Sequence, residues 1–269
     1  MMGPGFSFEL LDVAFGMIVG MSLGLTGGGG SIFAVPLLTY GLGVPVGPAL
    51  GLSLATVGAT AGFGAALRLR AREIELQAGV IFSVVGMTMA PIGAMIGHRI
   101  APAILLSGFA LMMGYVGMRM WRGRTSAPVK PGPCATRNHG KLTGGCYAML
   151  SVAGAASGLL SGLFGVGGGF VIVPSLLYAG ITIHRAVTTS LMVIFLISVS
   201  GVVANIVQGQ HVPVLVTGLF LGGCLAGMLA GGTLRSRLSG STLQKTFAAA
   251  MWLVAVFMLA KNLSSFVPH

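Results

Sequence analysis

Charged side chains are scarce in this sequence. They make up 7% of its 269 residues, whereas a soluble domain usually carries about 25%. Apolar residues make up 55% of the chain, and the mean hydropathy is +0.95. There are too few charges to cover a water-facing surface. The composition therefore excludes an ordinary soluble domain and predicts a protein that faces lipid.

Acidic residues are the rarest charged group, with four copies. Glu73 and Glu75 lie in a loop beside three arginines, while Glu9 and Asp12 lie near the start of the first apolar segment. Cation transporters commonly place carboxylates within the membrane. Asp12 is the one candidate for such a position, so we expect an anionic or neutral substrate. Proton coupling stays open as an alternative, although the sequence shows no buried carboxylate relay.

Cysteine and histidine are also rare, and their spacing matches no metal site. Cys134, Cys146 and Cys224 include no CxxC pair, so we expect three free thiols and no metal. The metalloprotease motif HExxH is absent, as is the phosphate-binding motif GxxxxGK followed by Ser or Thr. The pattern GxSxG occurs as GMSLG at residues 20–24, but it lies within an apolar helical segment and not at the strand-to-helix turn that exposes a hydrolase serine. We therefore expect a protein that is not an enzyme, binds no cofactor and draws no energy from nucleotide hydrolysis.

What is present is a series of long apolar segments. A membrane-spanning helix needs roughly 20 predominantly apolar residues, and eight segments come close to or exceed that length: 8–25, 47–67, 76–97, 102–121, 143–164, 186–207, 213–234 and 243–260. Two shorter segments, 30–43 and 169–181, each follow a glycine cluster. The pattern predicts an all-α, polytopic transmembrane bundle of eight to ten membrane segments in a lipid bilayer.

The 15 basic residues give a net charge of +11, but they form no continuous face. They lie at segment ends and in short loops, as topology signals do, so we expect no nucleic-acid partner. The 45 glycines include small-xxx-small pairs, such as Gly93 with Gly97 and Gly227 with Gly231, that let helices pack closely. Such faces pack within one chain or between chains, so a homo-oligomer stays open.

The two glycine clusters belong to an internal repeat. Residues 20–38 read GMSLGLTGGGGSIFAVPLL and residues 158–176 read GLLSGLFGVGGGFVIVPSL, so six glycine and proline positions coincide at an offset of 138. We infer two homologous units, residues 1–121 and residues 142–269, each with a glycine-rich broken helix. The Pro- and Gly-rich segment 122–141 between them carries five basic residues and is predicted to be a cytoplasmic linker.

With that linker inside, the positive-inside rule tests whether the short segments cross the membrane. If they do, each unit has five crossings, the units are inverted, and Arg99 and Lys261 are the basic residues left outside. If the short segments are re-entrant, a second group of basic residues moves outside: Arg185, Arg235, Arg237 and Lys245. The charges favour five crossings in each of two inverted units, a plan that recurs in transporters.

The glycine clusters and the prolines after them resemble the signature of the TauE/SafE family, which contains the sulfite exporter and related anion permeases. Here the signature reads GLTGGGGSIFAVP in the first unit and GLFGVGGGFVIVP in the second. GLSLAT and TTSLMV downstream are similar to the family's Thr-Ser segment, although Gly51-Leu52-Ser53 lacks the threonine. The resemblance covers nearly the whole chain. It implies a carrier of sulfite, sulfonates or other small organosulfur anions in the bacterial inner (cytoplasmic) membrane.

The glycine clusters are also where an oxyanion could bind. Free backbone N–H groups at a helix start attract anions, and glycines let the backbone approach a ligand closely. Pure packing at a tight turn is the alternative. Neutral Ser and Thr donors recur at matching positions of the two units. We expect the following substrate-binding residues: Thr26, Gly27, Gly28, Gly29, Gly30, Ser31, Ser53, Thr56, Gly165, Gly167, Gly168, Gly169, Thr188, Thr189, Ser190 and Asn205.

These observations predict a secondary transporter that exports a small anion by alternating access between its two units. An inside-negative potential pushes an anion outward by roughly 2.3 kcal/mol per charge per 100 mV, so export needs no nucleotide. Two alternatives stay open: a structural or assembly subunit of another membrane complex and, less favoured, an intramembrane enzyme. Transport by the purified protein alone would remove the first alternative.

Overall fold

The computed structural model describes residues 4–69, 75–122, 144–209, 214–234 and 240–264. Within these ranges the chain forms helices joined by turns and no strand. In chain order the helices are α1 (Pro4–Thr26), α2 (Ala34–Pro36), α3 (Val46–Leu69), α4 (Leu76–Arg99), α5 (Pro102–Arg122), α6 (Gly144–Phe164), α7 (Gly169–Tyr178), α8 (Ile183–Val207), α9 (Val214–Leu234) and α10 (Gly240–Ser264). The prediction of an all-α fold is confirmed.

The two short apolar segments both fold as short helices. In the first, a 3-10 helix (Gly29–Phe33), the single turn α2 and a π-helical turn (Leu37–Gly41) follow one another, and we call residues 29–41 the first short helix. The second short helix is α7, which is ten residues long. Each follows directly on a glycine cluster, so the clusters are the points where one helix ends and the next begins.

Seven helices among the described residues are long and apolar enough to cross a membrane: α1, α3, α4, α5, α6, α8 and α9. They account for seven of the eight long segments predicted from the sequence. The eighth, 243–260, lies in α10, a 25-residue helix that is not among the seven and that carries Lys245 near its start and Lys261 in its last turn. The chain is a multi-pass membrane protein.

Glycines bring two pairs of helices into backbone contact. Helix α1 packs along α9 in the same direction, and α6 packs along α4 in the same direction. A Cβ added to a glycine of α1 would meet the backbone of α9 at three successive turns: Gly16 at Phe220, Gly20 at Cys224 and Gly24 at Met228. The α6 glycines meet α4 in the same way: Gly154 at Phe82, Gly158 at Gly86 and Gly162 at Ala90. This is the close approach that small residues permit in membranes.

Two other pairs of helices run antiparallel. In the α3–α8 pair, Gly58 lies against Ser198 while Gly201 lies against Leu54. In the α5–α10 pair, Gly117 near the end of α5 lies against Ala248 near the start of α10. At the opposite end of that pair, the Asn262 side chain donates a 2.7 Å hydrogen bond to the carbonyl oxygen of Ala103.

Helices α4 and α8 run parallel and are joined by polar contacts along their length. At their N-terminal ends, Arg185 forms a 2.6 Å ion pair with Glu75, and the hydroxyl of Thr189 accepts a 3.0 Å hydrogen bond from the Glu75 amide. At their C-terminal ends, Nε2 of His98 lies 3.0 Å from Oδ1 of Asn205. The two helices are thereby fixed to each other at both ends.

One prediction about cysteine is wrong. Cys224 is free and buried, but Cys146 is disulfide-bonded, so the chain does not carry three free thiols. Among the described residues no group of three or more His, Cys, Asp or Glu side chains could hold a metal ion. Several residues used in the sequence predictions lie outside the described ranges: the linker beyond Arg122, which includes Cys134, and Arg70, Arg72, Glu73, Arg235 and Arg237.

Candidate functional site

The two glycine clusters meet in the interior of the bundle. A Cβ added to Gly169 would lie 2.5 Å from the Cα of Gly28, and one added to Gly28 would lie 2.9 Å from the Cα of Gly169. Real Cβ atoms essentially never come within 3.0 Å of a heavy atom outside their own residue and its chain neighbours. Gly28 has a φ of 167°, which any residue can adopt. The close approach of the two backbones, and not backbone conformation, therefore requires glycine at this contact.

The first cluster is fixed through its carbonyl groups. Ser190 of α8 donates a 2.6 Å hydrogen bond to the carbonyl oxygen of Gly27, and Ser31 donates a 2.8 Å bond to that of Gly28. Gly27 has a φ of 76°, and a Cβ at this position would collide with the side chain of Val187. Both the conformation and the space at Gly27 therefore demand glycine.

The remaining predicted residues of the first cluster pack locally. The Thr26 hydroxyl donates a 2.7 Å hydrogen bond to the carbonyl oxygen of Ser22, within its own helix. A Cβ on Gly29 would lie 3.1 Å from the ring of Phe247 in α10, and one on Gly30 would meet the backbone of Ser22. These three residues line the start of the first short helix, and the Thr26 proton is already engaged.

The second cluster turns through left-handed backbone. Gly165, Gly167 and Gly168 have φ values of 69°, 67° and 68°, a region that side-chain-bearing residues rarely adopt. Gly165 lies against the backbone of Leu50 in α3. The hydroxyl of Ser157 donates a 3.1 Å hydrogen bond to the carbonyl oxygen of Gly168, the residue that caps α7. The Val171 amide donates a 3.0 Å hydrogen bond to the same carbonyl oxygen. The N–H groups of Gly169 and Phe170, at the start of α7, have no intrahelical partner.

Three buried hydroxyls near the clusters have no hydrogen-bond partner among the described residues. They are Oγ of Ser198 in α8, Oγ of Ser53 in α3 and Oγ of Ser161 in α6, which are 1%, 0% and 0% exposed. Ser161 lies one turn before Gly165, whose amide donates to the Ser161 carbonyl oxygen. A Cβ on Gly167 would lie 3.6 Å from Oγ of Ser198, so this hydroxyl faces the second cluster. Ser53 follows Leu50 by one turn. An unpaired buried hydroxyl costs about 1–3 kcal/mol, which a bound oxyanion would offset.

Other predicted hydroxyls are engaged within their own helices. Thr56 donates a 2.8 Å hydrogen bond to the carbonyl oxygen of Leu52, and Thr188 donates a 3.0 Å bond to that of His184. This is the usual arrangement of Ser and Thr in membrane helices. Thr56 and Thr188 would have to rotate their hydroxyls before they could donate to a ligand.

Two residues of α8 that were predicted to bind substrate instead form hydrogen bonds to α4 or to the residue that precedes it. Thr189 accepts the Glu75 amide, and Asn205 pairs with His98 while donating a 2.8 Å hydrogen bond to the carbonyl oxygen of Gly201. Asn205 lies fifteen residues beyond Ser190, which is about 22 Å along a helix. The structure therefore does not bring Asn205 to the glycine clusters.

Ser157 and Ser198 were missed when the site was predicted from the sequence. The prediction selected hydroxyls that recur at matching positions, and Ser157 matches Val19 in the first half of the chain at the offset of 138. Ser198 has no feature in the sequence that separates it from neighbouring hydroxyls such as Ser200. Only the fold, which places both next to the second cluster, identifies them.

The described contacts of the glycine clusters include no charged side chain. Donors at this place are neutral backbone and hydroxyl groups. A pocket of about 240 Å³ lies elsewhere, between α3 and α9, and its lining includes Arg68, Met228 and Thr233. Arg68, in the last turn of α3, is the basic side chain of this lining.

The sequence is similar to several proteins that are described as probable membrane transporters. A probable membrane transporter protein of Xylella fastidiosa is 39% identical over 172 residues, which are 63% of this chain and 63% of that protein. The chain thus matches slightly less than two thirds of the length of that relative. A probable membrane transporter protein of Haemophilus influenzae is 31% identical over 218 residues, 78% of each chain.

Two further matches extend to other organisms. YdhB of Bacillus subtilis, also a probable membrane transporter protein, is 27% identical over 222 residues, 79% of this chain and 85% of that protein. In Arabidopsis thaliana, sulfite exporter TauE/SafE family protein 6 is 51% identical over 55 residues, 20% of this chain and 13% of that protein. The sequence profile of the family described as sulfite exporter TauE/SafE matches residues 13–258. With nearly the whole chain matched, the protein belongs to the sulfite exporter TauE/SafE family.

Proposed function

We propose that this protein is a secondary transporter that moves a small organosulfur anion, such as sulfite or a sulfonate, across the bacterial cytoplasmic membrane. The observation that carries the proposal is the contact of Gly28 with Gly169, where two helix breaks meet among buried, uncharged donors. Three relatives are described as probable membrane transporter proteins and the family as sulfite exporters, which supports the same activity. For an anion that moves without a coupled ion, export is the favoured direction, because the membrane potential alone drives it outward.

The packing of the helices supports two units that move against each other. The contact of Gly16 with Phe220 and the contact of Gly154 with Phe82 are related by the offset of 138 residues, and the next two turns follow the same relation. Helix α3 packs on its counterpart α8, and α5 on its counterpart α10. Exchanging the two units maps the α3–α8 and α5–α10 pairs onto themselves and the α1–α9 pair onto the α6–α4 pair, as a two-fold axis requires. Alternating access in transporters uses such pairs of units.

The helix directions favour inverted units. Counterparts that pack antiparallel, as α3 does with α8, are related by an axis in the membrane plane. Helix α3 also runs parallel to α9, since Thr60 lies beside Cys224 and Gly64 beside Met228. Helix α1 runs parallel to α9 as well. Because α1 and α3 run in the same direction, the chain between them has to return across the membrane, and we assign that crossing to the first short helix.

Neutral donors at the glycine clusters suit an oxyanion. A sulfite or sulfonate group presents three oxygen acceptors, and the cluster region offers the first N–H groups of α7 and the unpaired hydroxyls of Ser53 and Ser198. A fixed cation at the site would hold an anion more tightly and slow its release. We propose that hydroxyl and amide donors bind the anion transiently, and that rocking of the two units transfers it to the other side.

The test is uptake of radiolabelled sulfite into proteoliposomes that contain the purified protein, with imposed anion and voltage gradients. Sulfate, thiosulfate and short sulfonates are added as competitors. We expect saturable flux that organosulfur anions inhibit more strongly than sulfate does. Flux by the purified chain alone would also exclude an assembly subunit that needs a partner to act. Absence of flux for all these anions under every gradient would contradict the proposed function and leave the family assignment intact.

A further inference from the structure

Asp12 is a buried acid within a membrane-spanning helix. Residues Glu9–Thr26 of α1 are long and apolar enough to cross the membrane. The Asp12 side chain is 3% exposed, and its Oδ1 has no hydrogen-bond partner among the described residues. The ion pair of the described chain joins Arg185 to Glu75 and leaves Asp12 without a counter-charge. An ionised carboxylate is costly in such a place, so the arrangement fits the protonated, neutral acid.

The helices packed against α1 offer little charge to Asp12. Among their described residues, the titratable or charged groups are Cys224 in α9, Arg68 in the last turn of α3 and Tyr40 in the first short helix. Cys224 is close enough to interact electrostatically with Asp12, and none of the three forms a hydrogen bond or ion pair with it. On α1 itself the other acid is Glu9, which is exposed. A proton is thus the ligand that neutralises this carboxyl with the least rearrangement.

The fold does not require a carboxyl at this position. Gly16, one turn further along α1, matches Gly154 in α6, so Asp12 matches Leu150. Leu150 is fully buried, and α6 packs on α4 through the same glycine contacts that α1 makes with α9. Leucine therefore satisfies the equivalent packing. A costly ionisable group that packing does not need, placed inside a membrane helix, indicates function.

We propose that Asp12 is the proton-binding group through which the protein couples anion movement to the proton gradient. The inference rests on the proposed transport function. In the present arrangement Asp12 holds its proton, and release requires separation of α1 from its neighbours so that water reaches the carboxyl. Asp12 lies fifteen residues before Gly27, which is about 22 Å along α1, so the proton and the anion do not touch. They are coupled through α1 itself, because the arrangement that buries Asp12 is the one in which Gly28 meets Gly169 at the other end of this helix. Proton and anion therefore favour each other's binding, a coupling that is reciprocal, and one of each crosses in the same direction per cycle. The pair carries no net charge, so the anion and pH gradients set its direction, and the outward force of the membrane potential on an uncoupled anion does not apply.

The transport test uses the full chain in proteoliposomes, with radiolabelled methanesulfonate as the probe. Its conjugate acid is too strong for the anion to carry a proton at neutral pH, so any proton that moves with it is carried by the protein. With voltage clamped and a pH gradient of one unit, coupling of one proton to one anion sustains about tenfold accumulation on the alkaline side. We expect this of the wild type and of the control Glu9→Gln, one turn earlier on α1. Asp12→Asn is expected to equilibrate methanesulfonate without accumulating it.

A second measurement is independent of the substrate. Infrared spectra of the wild type in lipid at neutral pH are expected to contain the C=O stretch of a protonated carboxyl, lost in Asp12→Asn and retained in Glu9→Gln. Asp12→Leu, which copies Leu150, replaces the asparagine variant if that variant fails to fold. Accumulation by Asp12→Asn equal to the wild type, or a wild-type spectrum without this band, would overturn the proposal. A wild type that moves neither sulfite nor methanesulfonate overturns the proposed function and with it the coupling, while the band still decides whether Asp12 holds a proton.

Discussion

Ser190 of α8 donates a 2.6 Å hydrogen bond to the carbonyl oxygen of Gly27, so a helix of the second half of the chain holds the glycine break of the first. Helix α1 ends at Thr26, and the last carbonyl groups of a helix lack partners within it. Ser190 is fully buried, so water does not compete for this carbonyl oxygen. The bond thus replaces a missing helical hydrogen bond and joins the two halves at the candidate site.

Replacing Ser190 by alanine is expected to destabilise the protein. Gly27 would keep a buried carbonyl oxygen without this donor, which costs about 1–3 kcal/mol. Thr88→Ala is the control, because the exposed Thr88 hydroxyl bonds the carbonyl oxygen of Val85 in its own helix. We expect that control to change the free energy of unfolding by no more than about 0.5 kcal/mol. Denaturant unfolding in detergent measures both variants, and equal effects would contradict a joining role for Ser190.

Replacing Gly169 by alanine tests the contact between the two clusters. The added Cβ would lie 2.5 Å from the Cα of Gly28, so the backbones have to separate, and overpacking of this kind typically costs about 1–3 kcal/mol. We expect loss of sulfite flux in a protein that remains folded in detergent. Gly222→Ala on α9 is the matched control, since a Cβ there meets nothing within 4 Å. Full flux in Gly169→Ala would show that the clusters need not touch during transport.

Hydrophobic length was enough to predict the helices, and glycine pattern was enough to predict where they break. The short segments follow Gly27–Gly30 and Gly165–Gly169 because glycine tolerates left-handed backbone there. The sequence could not reveal that Gly28 and Gly169 touch, since that contact depends on how four separate helices pack. The sequence also could not reveal which carbonyl oxygen each hydroxyl bonds. The Ser190 hydroxyl reaches the carbonyl oxygen of Gly27 as well as that of Val187 in its own helix, whereas Thr56, predicted by the same reasoning, bonds its own helix.

Asp12 illustrates the same limit for charge. Sequence position alone placed it near a helix start and led to the expectation of no buried carboxylate relay. The fold buries it to 3% exposure because α9 lies along that face of α1. Asn205 shows the opposite outcome: it is one of the substrate-binding residues expected from the sequence, and in the fold its side chain bonds His98 at the end of α8. Burial and partner choice are tertiary properties, which hydropathy along the chain does not contain.

The two ends of the α4–α8 contact are expected to differ in strength. The Arg185 and Glu75 side chains are 56% and 38% exposed, and solvent-exposed ion pairs contribute about 0–1 kcal/mol, less at high salt. Asn205 is 2% exposed and bonds both His98 and Gly201, so Asn205→Ala is expected to cost about 1–3 kcal/mol. Unfolding of Arg185→Gln and Asn205→Ala at low and high salt compares them. A larger loss for Arg185→Gln would contradict the ranking by burial.

Crossing by the short helices predicts which side of the membrane His184 faces. With five crossings in each unit, His184 at the start of α8 lies on the same side as Arg68 at the end of α3. With re-entrant short helices it lies instead on the side of Arg99, which ends α4. Cysteines are introduced one at a time at positions 68, 99 and 184 and labelled with a membrane-impermeant maleimide in intact and in broken cells. The labelling of the unsubstituted protein, which has its own cysteines, is subtracted as background. We expect the cysteine at 184 to label only in broken cells, as the one at 68 does, while the cysteine at 99 labels in both. Labelling at 184 in intact cells would show that α7 does not cross the membrane. Helix α8 would then run in the same direction as α3, which contradicts their antiparallel packing.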